Sequence, residues 1–110
     1  MIINITDSAK NELNTSFKNL NLNDKYLRVY IKRISAWYGP IFNIALDEPT
    51  EDDVIFSYED FKIVINSDLA SKINIVNIFY KSPLYGDKFR VSTDLVWKEE
   101  YYDAPWSKPW

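Results

Sequence analysis

The amino-acid sequence predicts a small α+β domain, rich in strands, with one long N-terminal helix and one short helix packed on mixed β-sheets. Three observations carry this expectation. One extended apolar stripe of helical period lies near the N-terminus, runs of strand period fill most of the remainder, and the order strand, helix, strands, short helix, strands segregates the two kinds of element instead of alternating them. At 110 residues the chain is long enough for one core and too short for two.

Met1–Ile5 is β-branched and weakly alternating, so it reads as a short strand. Thr6 or Asp7 can then N-cap a helix whose first turn is Ser8-Ala9-Lys10. Along it Ala9, Leu13, Phe17 and Leu20 stack on one side, with Lys10, Asn11, Asn14 and Lys18 away from them, the pattern of a helix laid on a sheet. Asn21–Asp24 ends it. Tyr26–Lys32 alternates, with Leu27, Val29 and Ile31 toward a core and Arg28 and Lys32 toward a wetter face.

After a break at Gly39-Pro40, Ile41–Leu46 reads as a strand with Phe42, Ile44 and Leu46 on one face, stopping at Asp47-Glu48-Pro49. Val54–Tyr58 and Phe61–Ile65 flank Glu59-Asp60 at the spacing of a tight hairpin, although the preferred glycine is missing. Asn66-Ser67-Asp68 caps a short helix at Leu69–Lys72, Ile73–Tyr80 returns to strand and ends at Ser82-Pro83, and a final strand at Lys88–Ser92 follows a Gly86-Asp87 turn. The strand aromatics Tyr30, Phe42, Phe56, Phe61 and Phe79 are expected in the sheet core.

Composition narrows the chemistry. Apolar residues make up 46% of the chain, well above the range of disordered sequences, so the domain is expected to fold by itself. No apolar run approaches the ~18–20 residues of a membrane span, and Met1–Asp7 lacks the layout of a secretory signal; the cytoplasm is the expected location. The absence of cysteine and histidine removes disulfides, thiolate ligation of clusters, thiol nucleophiles, and the commonest metal ligand and general base.

Thirteen cations against 16 interspersed acids give a charge of -3, which argues against nucleic acid as a partner. The two glycines, Gly39 and Gly86, are too far apart for a phosphate-cradling loop. A serine nucleophile would need a lysine base, and no Ser-x-x-Lys stands in a suitable setting. The acids Asp94, Glu99, Glu100 and Asp103 could pair for acid-base work, but a catalytic pair is marked by its separation across a cleft and not by spacing along the chain. No catalytic residue, cofactor or metal ligand is expected. The run from Asp47 to Asp53 offers five carboxylates and reads as a solvated loop, with a hard-cation site as its alternative, though it lacks the ligand spacing of an EF-hand.

Specific words of the sequence, in order, resemble the HesB/IscA-like family of iron-sulfur cluster assembly proteins, the A-type carriers. They are Ile3–Lys10, Tyr26–Lys32 and, most telling, Gly39–Pro49, followed at family-like distance by Glu51–Phe56, Ile63–Ala70 and Ile78–Tyr80. The resemblance covers roughly residues 1–93 and implies the family fold there, leaving 94–110 as an aromatic C-terminal tail packed on the domain or on a partner. In that family one cysteine precedes the Gly-Pro-like segment and a Cys-Gly-Cys pair lies near the C-terminus, holding a cluster or iron. Here those segments read Ser35–Pro40 and Val91–Trp97, without a thiol. Indole, phenol and hydroxyl do not replace soft thiolates, so the resemblance implies the scaffold without its cluster ligands.

Trp37 and Tyr38 stand where the resemblance places a ligand, with Tyr80, Tyr85 and Phe89 bracketing the other ligand segment, and Trp37, Tyr38 and Tyr85 form the candidate binding surface. Three functions follow. The first is a non-catalytic binding or regulatory protein with a protein partner in iron-sulfur assembly. The second is a small-molecule binding module with an aromatic pocket near Trp37 and Tyr38. The third is an oligomerising protein, a homodimer joined through the tail, whose five aromatics between Trp97 and Trp110 belong to the residue types that dominate interfaces.

Overall fold

The computed structural model describes residues 1–21, 24–81 and 88–107. These form seven strands, β1 (Ile2–Ile5), β2 (Tyr26–Ser35), β3 (Gly39–Leu46), β4 (Asp53–Tyr58), β5 (Phe61–Asn66), β6 (Ile75–Tyr80) and β7 (Phe89–Thr93). They also form two α-helices, α1 (Asp7–Asn19) and α2 (Ser67–Ala70), and two 3-10 helices in the tail, Glu99–Asp103 and Pro105–Ser107. The strands make one mixed sheet in the order β1-β6-β7-β3-β2-β5-β4. β1/β6 and β2/β5 are parallel, and every other pairing is antiparallel. The expected α+β class is the observed one. No helix among the described residues is long and apolar enough to cross a membrane.

Thr6 caps α1 by accepting the Ala9 amide on its side chain, and Ala9, Leu13 and Phe17 turn inward, all at most 2% exposed. Phe17 meets Phe61 of β5 with ring centroids 6.1 Å apart. Leu20, the expected fourth member of the stripe, is exposed because it is the C-cap, beyond the last helical turn.

Leu27, Val29 and Ile31 face the core and lie in register with Leu46, Ile44 and Phe42 of β3. Gly39-Pro40 is not a break: both residues belong to β3, Ser35 pairs with Gly39, and the turn is Ala36-Trp37-Tyr38. Arg28 does not face water. It is 3% exposed, because the second face of β2 is covered too.

The β4–β5 hairpin turns through Glu59-Asp60, and Glu59 adopts φ 54°, taking the left-handed conformation itself where a glycine is usually found. α2 starts two residues earlier than expected, since the Asn66 side chain accepts the Asp68 and Leu69 amides. β6 starts at Ile75 and not at Ile73. Phe79 is half exposed, and the cause is the strand period: Val76 and Ile78 face the core, which directs Phe79 outward. Tyr30 and Phe56 are half-buried, whereas Phe42 and Phe61 are in the core.

The tail folds back on its own chain. Trp97 and Trp106 pack against the core cluster, the Trp97 ring meets Tyr101 and Tyr102 edge-on at 5.6 and 5.2 Å, and Tyr101 meets Trp106 at 5.1 Å. Lys72 lies over the Tyr101 and Trp106 rings. The expected Ser82-Pro83 stop, the Gly86-Asp87 turn, Tyr85 and residues 108–110 lie outside the described residues.

Candidate functional site

One end of the sheet gathers the two segments singled out in the sequence. In the β2–β3 hairpin the Ser35 hydroxyl accepts the backbone N–H groups of both Trp37 and Tyr38 at 3.2 Å, and Gly39, at φ 71°, returns the chain to β3. The turn is therefore fixed by its own hydrogen bonds, with no packing of its rings required. Trp37 is 90% exposed and Tyr38 84%.

β7 runs antiparallel to β3 with Val91 opposite Phe42, so its C-terminal end, Thr93, approaches the Gly39 end of β3 and the chain leaves β7 at the hairpin-tip end of the sheet. There Asp94 accepts the amides of Asn74 and Ile75 at 2.8 and 3.0 Å, which ties the departing chain to the start of β6. These backbone donors hold the Asp94 carboxyl below its ordinary range. Asp94 is thus engaged as a strand-end clamp.

Tyr80 and Phe89, expected to bracket the second segment, pair across β6 and β7 with rings 6.0 Å apart. The same register places them away from Gly39, toward the opposite end of the strands. Tyr85 lies outside the described residues. Trp37 and Tyr38 are thus together on the surface, without Tyr80 and Phe89 beside them.

A second constellation joins β2 to the acidic run. The Arg28 Nε donates to Asp47 Oδ2 at 2.7 Å, Nη1 and Nη2 donate to the two oxygens of Asp53 at 2.7 and 2.6 Å, and Nη2 also reaches the Glu48 carbonyl at 3.3 Å. Asp53 Oδ2 accepts further bonds from the Thr50 amide and hydroxyl at 2.7 and 3.0 Å. The acidic run is therefore not simply solvated: its first and last carboxylates, the latter only 2% exposed, neutralise a buried guanidinium. Arg28 and the Thr50 donors hold the Asp53 carboxyl down to about 2, against desolvation, and Arg28 is raised by the same pairing. Hydrophobic alternation hid this, because it assigns a charged residue to the wet face by default. The available signal was the arginine inside a strand together with an acidic run ending at the next strand.

Beside this pair is a shallow cavity of about 190 Å³, flanked by Tyr30, Thr50, Asp52, Asn66 and Trp106. Neither Trp37 nor Tyr38 lines it, and the sequence-predicted aromatic pocket does not coincide with it. Among the described residues no group of three or more carboxylates is placed to hold a metal ion.

The fold is that of solved structures of IscA and SufA. A crystal structure of IscA with a [2Fe-2S] cluster superposes with a TM-score of 0.65 at 21% identity, covering 84% of this chain and 86% of that one. A solution structure of a protein from Aquifex aeolicus gives a TM-score of 0.64 at 22% identity over 84% of this chain and 91% of that one. Escherichia coli SufA, involved in biosynthesis of iron-sulfur clusters, gives 0.57 at 13% identity over 84% and 86%. No family profile and no curated protein matches the sequence. The chain therefore has the HesB/IscA-like fold that its sequence resembles.

Proposed function

We propose that this chain is a non-catalytic binding protein of iron-sulfur assembly that keeps the IscA-like scaffold, lacks cluster ligands, and engages a protein partner through the Trp37-Tyr38 turn. The observation that carries this reading is the turn itself. Two large rings stand almost fully in water on a hydrogen-bonded hairpin tip, at the sheet end where the chain also leaves β7. Exposed Trp and Tyr held at little conformational cost are the side chains that dominate the binding energy of protein interfaces.

The chemistry of the chain agrees with a role other than carrying a cluster. It contains no cysteine and no histidine, and the carboxylates Asp47, Asp53 and Asp94 are engaged by Arg28 or by backbone amides. Iron and sulfide added anaerobically are expected to give no stoichiometric thiolate-type absorption band.

The partner reading is tested by calorimetric titration of the protein into cluster-loaded IscA and SufA. Binding weakened by about tenfold or more in Trp37→Ala, with an unchanged melting temperature, supports it. Absence of binding to either carrier, or binding indifferent to Trp37→Ala and Tyr38→Ala together, overturns it.

A further inference from the structure

β4 is the terminal strand of the sheet, and among the described residues no strand pairs with its outer edge. Val54–Tyr58 contains no lysine, no proline and no charge, and no register shift interrupts its ladder with β5. The direction of its backbone groups follows from the ladder. Ser67 donates its amide to the Asp52 carbonyl, so Asp52/Ser67 is a hydrogen-bonded pair, and the alternation of an antiparallel ladder makes Val54/Ile65, Phe56/Ile63 and Tyr58/Phe61 the next ones. The N–H and C=O groups of Ile55 and Ser57 consequently point away from β5, and both residues are exposed, Ile55 at 47%.

Three of the acids bracketing this edge are already paired. Asp53 is held by Arg28, Glu59 by Lys10 at 3.2 Å and Asp60 by Lys25 at 2.5 Å. Two copies of the edge can therefore approach without facing unpaired carboxylates at those three positions, and the strand between them is itself neutral.

We propose that the β4 edge is a self-association surface, where a second copy of this chain adds its own β4 antiparallel about a two-fold axis through Phe56. In that register Ile55 of one copy and Ser57 of the other each donate to and accept from one another, and the Phe56 side chains meet on the axis. Val54 lies opposite Tyr58 of the second copy. The pairing satisfies the outward backbone groups and extends the core side of the sheet across the axis. Such a two-fold contact is closed, so it stops at a dimer and does not propagate into a fibre. The surface is distinct from both the Trp37-Tyr38 turn and the tail, where Trp97, Tyr101 and Trp106 pack on their own chain.

Sedimentation over a range of concentrations, combined with hydrogen exchange on the native protein, tests this. The expected result is a species of twice the 13.0 kDa chain mass. The Ile55 and Ser57 amides, which an isolated chain leaves facing solvent, should exchange at least about tenfold more slowly where the dimer is populated than at dilution. Ser57→Pro removes an N–H that the fold itself does not use, and Ile55→Lys adds a charge to the edge; either is expected to weaken dimerisation by about tenfold or more with the circular dichroism unchanged. A monomer at every concentration overturns the proposal. So does a dimer whose Ile55 and Ser57 amides remain unprotected, or protection that arises only when a different protein is added. If both variants unfold, exchange in the unsubstituted chain decides by itself.

Discussion

Arg28, in the middle of a strand, and Asp53, at the start of another, meet in a two-pronged ion pair with N···O distances of 2.7 and 2.6 Å, both side chains at most 3% exposed. The strand β5 lies between their two strands, so the contact fastens the acidic loop across the sheet. A buried pair of this kind costs desolvation to form, and its worth shows mainly when one partner is removed. Asp53→Asn removes the bidentate carboxylate from the buried guanidinium and is expected to destabilise the fold by about 3 kcal/mol, read as a lower denaturant midpoint at neutral pH.

The same pair predicts an acid response. The Asp53 carboxyl titrates at about 2 in the fold, below the ~3.9 of an unfolded aspartate. A depressed folded pKa means that the stabilisation is fully present above pH ~4 and is lost as pH falls through about 2, a contribution of roughly 2 kcal/mol. Denaturant titrations from pH 5 to pH 2 should show stability falling across that window, with the fall reduced in Asp53→Asn. An equal slope in the two proteins would place the acid sensitivity elsewhere.

Glu59 shows a conflict between backbone and side chain. Its φ of 54° is a conformation that costs an L-residue roughly 1 kcal/mol, while its salt bridge to Lys10 is solvent-exposed and adds little. Glu59→Gly is therefore expected to stabilise the protein, by about 0.5 kcal/mol once the greater freedom of glycine in the unfolded chain is counted, and Glu59→Val to destabilise it by more than that. Thermal melts of the two variants beside the unsubstituted chain check the sign.

The contrast between Leu27 and Arg28 explains what the sequence could and could not disclose. Leu27, Val29, Ile31 and the α1 stripe follow from periodicity, because a side chain's face is set by its position in the element, and burial then rewards apolar residues there. Arg28 is buried for a non-local reason, since its partners lie 19 and 25 residues away and the tail helps cover its face. No local pattern encodes that. Phe79 illustrates the reverse: its exposure was implied by the inward Val76 and Ile78, and hydrophobicity alone obscured it. At the candidate site the sequence named Trp37 and Tyr38 but not their standing apart from the cavity beside Arg28, which depends on the three-residue length of the turn and on the Ser35 bonds that close it.

Trp37 is expected to behave as a reporter without structural weight. At 90% exposure it has almost no buried area to lose, so Trp37→Phe should change stability by less than about 0.5 kcal/mol. The same substitution should remove the most red-shifted and most readily acrylamide-quenched part of the indole fluorescence. A large loss of stability would mean that the turn packs against something in solution.

Trp106 should respond in the opposite way to the same kind of truncation. It packs against the core cluster, meets Tyr101 at 5.1 Å, carries Lys72 over its ring at 5.2 Å and walls the cavity beside Arg28. Because the ring is half-buried, Trp106→Ala is expected to cost about 2 kcal/mol, below the full value for a core tryptophan. That corresponds to a melting temperature lower by roughly 8 °C for a domain of this size. Lys72→Ala removes the cation over the rings together with its hydrogen bond to the Asp68 carbonyl at 3.1 Å, and should cost about 0.5 kcal/mol. Measuring both variants and their combination separates ring packing from the cation: a double variant less destabilised than the sum of the singles identifies the Lys72–Trp106 contact as coupled, whereas a Trp106→Ala melt identical to that of the unsubstituted chain would show that the tail does not hold this position in solution.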